Sequence, residues 1–272
     1  MKKDSARQDR QNIDAHVRAP SAALLALEGR AFFEWTAAVA AWPLLTRAAR
    51  GDGHPVLVLP GMLAGDSTTW PLRKFLEGRG YAVHPWEQGL NCGPRDGVVR
   101  KVLARMRSIQ REHGRKLSLI GWSLGGAMAH ALAVREPQRV RSVITLGSPL
   151  CGNPGATNAR RLFEFVSGVR ADDPGLRALM SRQPRVPSTS ILSKTDGIVA
   201  WPMSLLPQGR QSENIEVCAS HFGMGANPAV LWAIAERLAQ PEGAWKPFDR
   251  SGWRQLIYGD PQSANGAGLL AQ

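Results

Sequence analysis

The sequence predicts an α/β protein built on a mostly parallel, doubly wound sheet with a short helical cap insertion. Three observations carry that prediction. From residue 54 onward, short all-apolar runs alternate with segments whose apolar residues recur at helical spacing. Strands apolar on both faces belong to parallel sheets covered by helices on both sides. The alternation breaks once, at 151–186, over a stretch too long for a simple connection.

The elements follow in order. Residues 1–19 read as a polar arm. Ser21, after Pro20, suits a helix N-cap. Beyond it Leu25, Phe32, Trp35, Val39 and Trp42 fall near helical spacing, which predicts a helix packing that face on the domain until Pro43 ends or kinks it. The breadth of apolar surface around Phe32, Phe33 and Trp35 leaves peripheral membrane contact through residues 21–45 as the alternative.

Residues 55–59 predict the first buried strand. A helix over 68–78 follows, carrying Trp70, Leu72 and Phe75, with Gly80 closing it and Asp66 as its cap. Residues 81–85 make the second strand. Val98, Val102, Met106 and Ile109 mark a helix over 95–113. The third strand, from Leu117, runs into a helix that Pro137 stops; the fourth, fifth and sixth cover 140–146, 189–193 and 214–218. A last helix over 228–239 presents Val230, Leu231, Ile234 and Leu238 to the core. Within 151–186, helical patches around Phe163 and Leu176 predict a cap over the strand ends. The chain thus divides into an arm and apolar helix (1–50), an α/β domain (51–247) and a surface tail of little periodicity (248–272).

Composition narrows the function classes. The 272 residues are 43% hydrophobic and 21% charged, enough for a sizeable core. The net charge of +12 comes from scattered arginines; Arg100, Lys101, Arg105 and Arg107, and Arg135, Arg139 and Arg141, are the nearest approach to clusters. A solvated basic surface, with no nucleic-acid partner, is the reading. Three cysteines, Cys92, Cys151 and Cys218, lie far apart, predicting buried free thiols rather than disulfides. The polar start lacks an apolar signal region, and 31–45 is too short and interrupted to span a bilayer. A cytoplasmic protein is expected, with membrane association left to the 21–45 segment. No His, Cys, Asp or Glu group has metal-ligand spacing and no phosphate-cradling glycine loop occurs, so no cofactor is expected.

The chemistry centres on Gly121-Trp122-Ser123-Leu124-Gly125 at the strand-to-helix junction. A serine thrust from so sharp a turn needs glycines beside it, and the helix behind it aims free N–H groups at the same spot. A serine hydroxyl needs a base, and the base an orienting acid, both on loops after later strands. His221 follows the sixth strand by three residues, in Ala219-Ser220-His221-Phe222-Gly223; the other histidines lie elsewhere. Asp196 follows the fifth strand in Lys194-Thr195-Asp196-Gly197. An oxyanion hole would combine the N–H of Leu124 with one from the loop 60–66, best Met62, beside Gly61.

On Val-Leu-Pro-Gly-Met, Gly-Trp-Ser-Leu-Gly-Gly, Thr-Leu-Gly-Ser-Pro, Ser-Lys-Thr-Asp-Gly-Ile-Val and Ser-His-Phe-Gly-Met, residues 54–247 resemble the α/β-hydrolases, closest in style to bacterial lipase-like serine esterases. The resemblance implies Ser123 as nucleophile, Asp196 as acid, His221 as base, and the Met62 and Leu124 amides as the hole. It implies a carboxylester hydrolase acting on small-molecule or lipid-like esters through an acyl-enzyme. Acyl transfer or amide hydrolysis with the same triad, or a membrane-surface binding module on the same scaffold, are the alternatives.

Overall fold

The computed structural model describes residues 17–95, 97–151 and 155–261. The apolar runs form strands β1 (Pro55–Leu59), β2 (Ala82–Pro85), β3 (Leu117–Trp122), β4 (Val140–Leu146), β5 (Ser188–Leu192) and β6 (Ser212–Glu216). They build one sheet in the order β2-β1-β3-β4-β5-β6, every pair parallel. Neighbouring residues on a strand point to opposite faces. Val56 and Val58 accordingly join a core with Phe75, Ile120, Ile144, Leu231 and Ile234. Leu57 and Leu59 join a second core with Trp86, Met106, Leu119 and Met128 across the sheet.

The chain steps outward from β1 to β2, then returns to lay β3 on the other side of β1. Loops leaving the carboxyl ends of β1 and β3 therefore diverge and open a crevice, the place where parallel sheets hold ligands. Helices α4 (Trp70–Gly78), α5 (Val98–His113), α6 (Leu124–Arg135) and α9 (Pro228–Leu238) cover the faces. The interrupted stretch contributes α7 (Arg160–Ser167) and α8 (Pro174–Met180), the latter capped by Asp173, whose carboxylate accepts from Leu176 N.

Before the sheet lie α1 (Ala22–Ala26), a 3₁₀ turn over Leu27–Arg30, α2 (Ala31–Ala40) and α3 (Trp42–Leu45). Ser21 caps α1 through Leu24 N, as expected. The helix breaks at Ala41, ahead of Pro43, whose missing N–H is harmless in the first turn of α3. The predicted packing face is corrected: Phe32 is 69% and Val39 76% exposed, and Leu25, Trp35 and Trp42 also face outward. A different set of contacts holds the segment: Ala38, Leu45 and Ala48 are buried and Trp42 packs edge-on against Phe75, while buried Glu28 and the pair Arg30 and Glu34 bond to loops of the sheet domain.

Other expectations shift locally. Asp66 does not cap α4; its carboxylate accepts from Trp86 N and Glu87 N and fixes the exit of β2. β6 begins and ends two residues earlier than the apolar run, because its ladder to β5 starts at Ser188–Ser212. Cys218 is exposed and Cys92 and Cys151 half-buried, so the thiols are not buried. In the tail, Phe248 and Tyr258 are buried against each other and Gly259 bridges Glu216, so the described part of 248–272 packs on β6; residues 262–272 lie outside the described residues. The expected polar arm likewise lies outside them up to residue 16.

At the amino end of the sheet, His54 is fully buried between Asp52 Oδ1 (2.6 Å) and Ser118 Oγ (2.9 Å). Arg141 and Arg115 both grip Asp52. A carboxylate only accepts, so His54 Nδ1 carries the proton and Nε2 accepts from Ser118. Burial pushes His54 down to about 4, against the pull of Asp52. Two of the arginines seen as a basic cluster are thus structural: Arg141 here, and Arg139 on Glu136.

Candidate active site

Ser123 sits between β3 and α6 with φ 55° and ψ −121°, a conformation that costs a non-glycine residue strain. Its surroundings hold it there. A Cβ on Gly121 would fall on the Gly125 carbonyl, and one on Gly125 on the Leu59 carbonyl, so the turn closes only with glycine at both positions. Ser123 N donates to Leu146 O at the end of β4 (2.8 Å), and the Ser123 carbonyl accepts the first bonds of α6.

Asp196 and His221 reach this point from the loops after β5 and β6. His221 Nε2 lies 2.9 Å from Ser123 Oγ and Nδ1 lies 2.7 Å from Asp196 Oδ2. The remaining Asp196 oxygen accepts from Ile198 N and Val199 N, both at 2.8 Å. Both side chains are buried, and Trp122 Nε1 donates to the His221 carbonyl at 3.0 Å. Because Asp196 can only accept, Nδ1 bears hydrogen and Nε2 is left to accept the serine proton. All three predicted residues are therefore brought together in one chain of hydrogen bonds.

The loop after β1 lies against them. A Cβ on Gly61 would stand 3.6 Å from Ser123 Cβ, so the chain at Gly61–Met62 passes close over the serine. Among the described residues, neither Met62 N–H nor Leu124 N–H has a protein acceptor. Asn91, absent from the sequence reading, secures this loop. It is fully buried; its Nδ2 donates to Pro60 O at 2.7 Å, its carbonyl accepts from Leu63 N, and its N–H donates to Ala64 O. A lone polar residue in a connection carried no sequence signal.

Ser123, Met62 and Leu124 open into a cavity of about 420 Å³. One stripe of α6, through Ala127, Met128, Ala131 and Leu132 to Arg135, forms its floor, and Phe163, Leu176 and Met180 of the inserted helices face it. From Leu124 to Arg135 that floor is about 16 Å long at the helical rise. Buried His130 also borders it, its Nε2 at 3.0 Å from Arg182 O, and burial lowers its pKa. Among the described residues no three His, Cys, Asp or Glu side chains converge as a metal site would need, and no helix is long and apolar enough to cross a membrane.

Comparison with known proteins bears on the fold. A family model described as the alpha/beta hydrolase fold matches residues 55–180. Among solved structures, Aspergillus fumigatus lipase B superposes with a TM-score of 0.55 at 18% identity, over 71% of this chain and 54% of that one. This chain thus spans about half the length of the Aspergillus enzyme. A structure from the metagenome-derived lipolytic enzymes LipS and LipT gives 0.52 at 16% identity, over 70% and 93% of the two chains. Bacillus licheniformis lipase BlEst2 in its mature form gives 0.52 at 16%, over 71% and 93%. No curated protein matches the sequence. Identities this low speak for the fold alone. Together with the matched family model, these superpositions show that the chain has the α/β-hydrolase fold.

Proposed function

We propose that the protein is a serine carboxylester hydrolase acting on esters with apolar acyl chains. The observation that carries this reading is the continuous relay Asp196–His221–Ser123, with contacts of 2.7 and 2.9 Å, at the mouth of an apolar cavity. Ser123 Oγ attacks the ester carbonyl carbon and passes its proton to His221 Nε2. The carbonyl oxygen takes up the negative charge and lies between the Met62 and Leu124 N–H groups, preorganised where that charge develops. Asp196 holds Nδ1–H and stabilises the imidazolium.

Collapse of the adduct breaks the ester C–O bond, and the leaving alkoxide takes the His221 proton. Water then attacks the acyl-enzyme, His221 accepting its proton and returning it to Ser123 as the carboxylic acid leaves. The floor of α6 suits an acyl chain laid from Leu124 towards Arg135. Acyl transfer and amide hydrolysis would use the same atoms and differ only in acceptor and leaving group.

Fluorophosphonate labelling read by intact mass tests the proposal. Wild-type protein should gain one adduct, Ser123→Ala none, and His221→Ala should label far more slowly. A folded wild-type protein that takes no label would refute it.

The outward-facing Leu25, Phe32, Phe33, Val39 and Leu44 favour a second reading, that the N-terminal segment rests on a membrane surface while the site works. Flotation with anionic vesicles, repeated with Phe32→Ser/Phe33→Ser, tests it; equal flotation of both proteins, or none of either, would remove it.

A further inference from the structure

The N-terminal segment precedes the region matched to the family, yet it reaches the two loops that carry Asp196 and His221. Glu28, in the 3₁₀ turn between α1 and α2, is only 5% exposed. Its Oε1 accepts from Gly197 N at 2.8 Å and from His221 N at 3.0 Å, and its Oε2 accepts from Phe222 N at 3.0 Å. One carboxylate therefore bridges the residue after Asp196 to His221 itself. Burying a charge is costly unless hydrogen bonds satisfy it, and these three charge-assisted bonds do so.

Two neighbours reinforce the contact. Arg30 Nη2 donates to Thr195 O (2.9 Å), Thr195 Oγ1 (2.6 Å) and Ala219 O (2.8 Å), again joining the two loops. Glu34 Oε1 accepts from Ser220 N at 2.6 Å, and its Oε2 from Asn227 Nδ2 at 3.1 Å. The approach is close: a Cβ on Gly197 would fall on the Leu24 carbonyl. Around Glu28 the segment presents its acids inward to the loops and Phe32, Phe33 and Val39 outward. Packing alone would have produced the opposite arrangement.

We propose that Glu28 is a positioning residue for the hydrolytic site, setting the distance between the Asp196 and His221 loops and so the Nδ1–Oδ2 contact. The inference rests on the proposed triad. Without Glu28 three N–H groups, two of them buried, lose their acceptor and the loops separate. His221 then drifts from Asp196 and its Nε2 from Ser123, and displacements near 1 Å at a reacting centre cost about 100-fold in rate.

The test compares full-length wild type with Glu28→Ala and Glu28→Asp. The readouts are kcat and KM on p-nitrophenyl butyrate, fluorophosphonate labelling rate, circular dichroism, and the far-downfield proton resonance of an imidazole Nδ1–H held by a carboxylate. Glu28→Ala should remain folded, lose kcat by about 10- to 100-fold with little change in KM, and lose the resonance.

Glu28→Asp keeps the charge but shortens the reach, so it should fold and still lose at least fivefold in kcat; it decides the matter if Glu28→Ala does not fold. A folded variant of either kind with wild-type kcat and resonance overturns the positioning role and leaves the triad standing. Wild-type protein with neither label nor resonance instead overturns the triad, and this inference with it.

Discussion

Replacing Asp196 by asparagine should disable the proposed site while leaving its shape intact. Asp196 Oδ1 accepts two backbone N–H groups, from Ile198 and Val199, and Oδ2 accepts one from His221 Nδ1. Asparagine offers one carbonyl oxygen and one NH₂. Turning the NH₂ towards Ile198 and Val199 would set donors against donors in a buried site, so the oxygen must take that side. The NH₂ then faces Nδ1, which can only accept, and the proton moves to Nε2. There it points at Ser123 Oγ, and the base can no longer receive the serine proton. In serine triads this wrong tautomer costs about 10⁴ in kcat, close to 5.5 kcal/mol at 1.36 kcal/mol per decade. Asp196 is not part of the cavity wall, so KM should change little. Steady-state hydrolysis of p-nitrophenyl butyrate measures both parameters, and thermal melting checks that the near-isosteric variant stays folded. A folded Asp196→Asn protein keeping more than a tenth of wild-type kcat would refute the argument.

Other consequences follow from the same geometry. Asn91→Leu leaves the Pro60 carbonyl and the Gly93 N–H without their buried partner; it should cost about 2–4 kcal/mol in urea unfolding and lower kcat at least tenfold by loosening the loop over Ser123, and unchanged kcat would remove the loop from the mechanism. Ala131→Phe fills the middle of the α6 floor and should shift preference towards short acyl chains, read as the ratio of kcat/KM for butyrate and decanoate esters; an equal loss on both would place the acyl chain elsewhere. Stability should fall as pH drops from 6.5 towards 4. Folded His54 stays neutral down to about 4 while the unfolded chain takes up the proton near 6.5, so the unfolded state binds more protons across that window. The loss is about 3 kcal/mol at most for this buried group. Asp52, held below its ordinary value by Arg141, His54 and Arg115 against the cost of its burial, adds a further decline only below about pH 4. Denaturant unfolding at pH 7, 5.5 and 4 would show the slope, and His54→Gln should flatten the upper part; a flat wild-type profile would contradict it.

What the sequence made legible was whatever rests on side-chain type and spacing. β1 coincides with its apolar run because a strand buried on both faces needs apolar residues throughout, and β4 keeps its predicted bounds on its β-branched residues although Arg141 turns to Asp52. Ser123, Asp196 and His221 could be picked out because each follows the carboxyl end of a strand, and parallel strands bring those ends to one edge. Hydrogen bonds to distant backbone had no such signature. Glu28 and Glu34 look like ordinary helix carboxylates, yet their partners on the sheet domain lie 169 or more positions away in the chain. Periodicity therefore assigned the helix face at Phe32 and Val39 to the core, when anchoring acids had reversed it. Asn91 and Asp66 were missed or misassigned for the same reason, since each side chain binds backbone on a neighbouring loop rather than on its own element. The tail was misjudged because Phe248 and Tyr258, which join the main core, stand ten positions apart with no period to reveal them.

The bond between Glu28 and His221 spans 193 residues of chain. Closing so long a loop cannot precede formation of the sheet that fixes both its ends, and contacts this distant in sequence arrive late. On refolding from denaturant, helical ellipticity should therefore return before the proposed hydrolytic activity, with a compact but inactive species in between. During synthesis the N-terminal segment must wait, its Leu45 and Ala48 uncovered and its acids unmatched, until the stretch after β6 has emerged. The chain is most exposed to aggregation in that interval, and its yield should respond more to chaperone supply than its final stability would suggest.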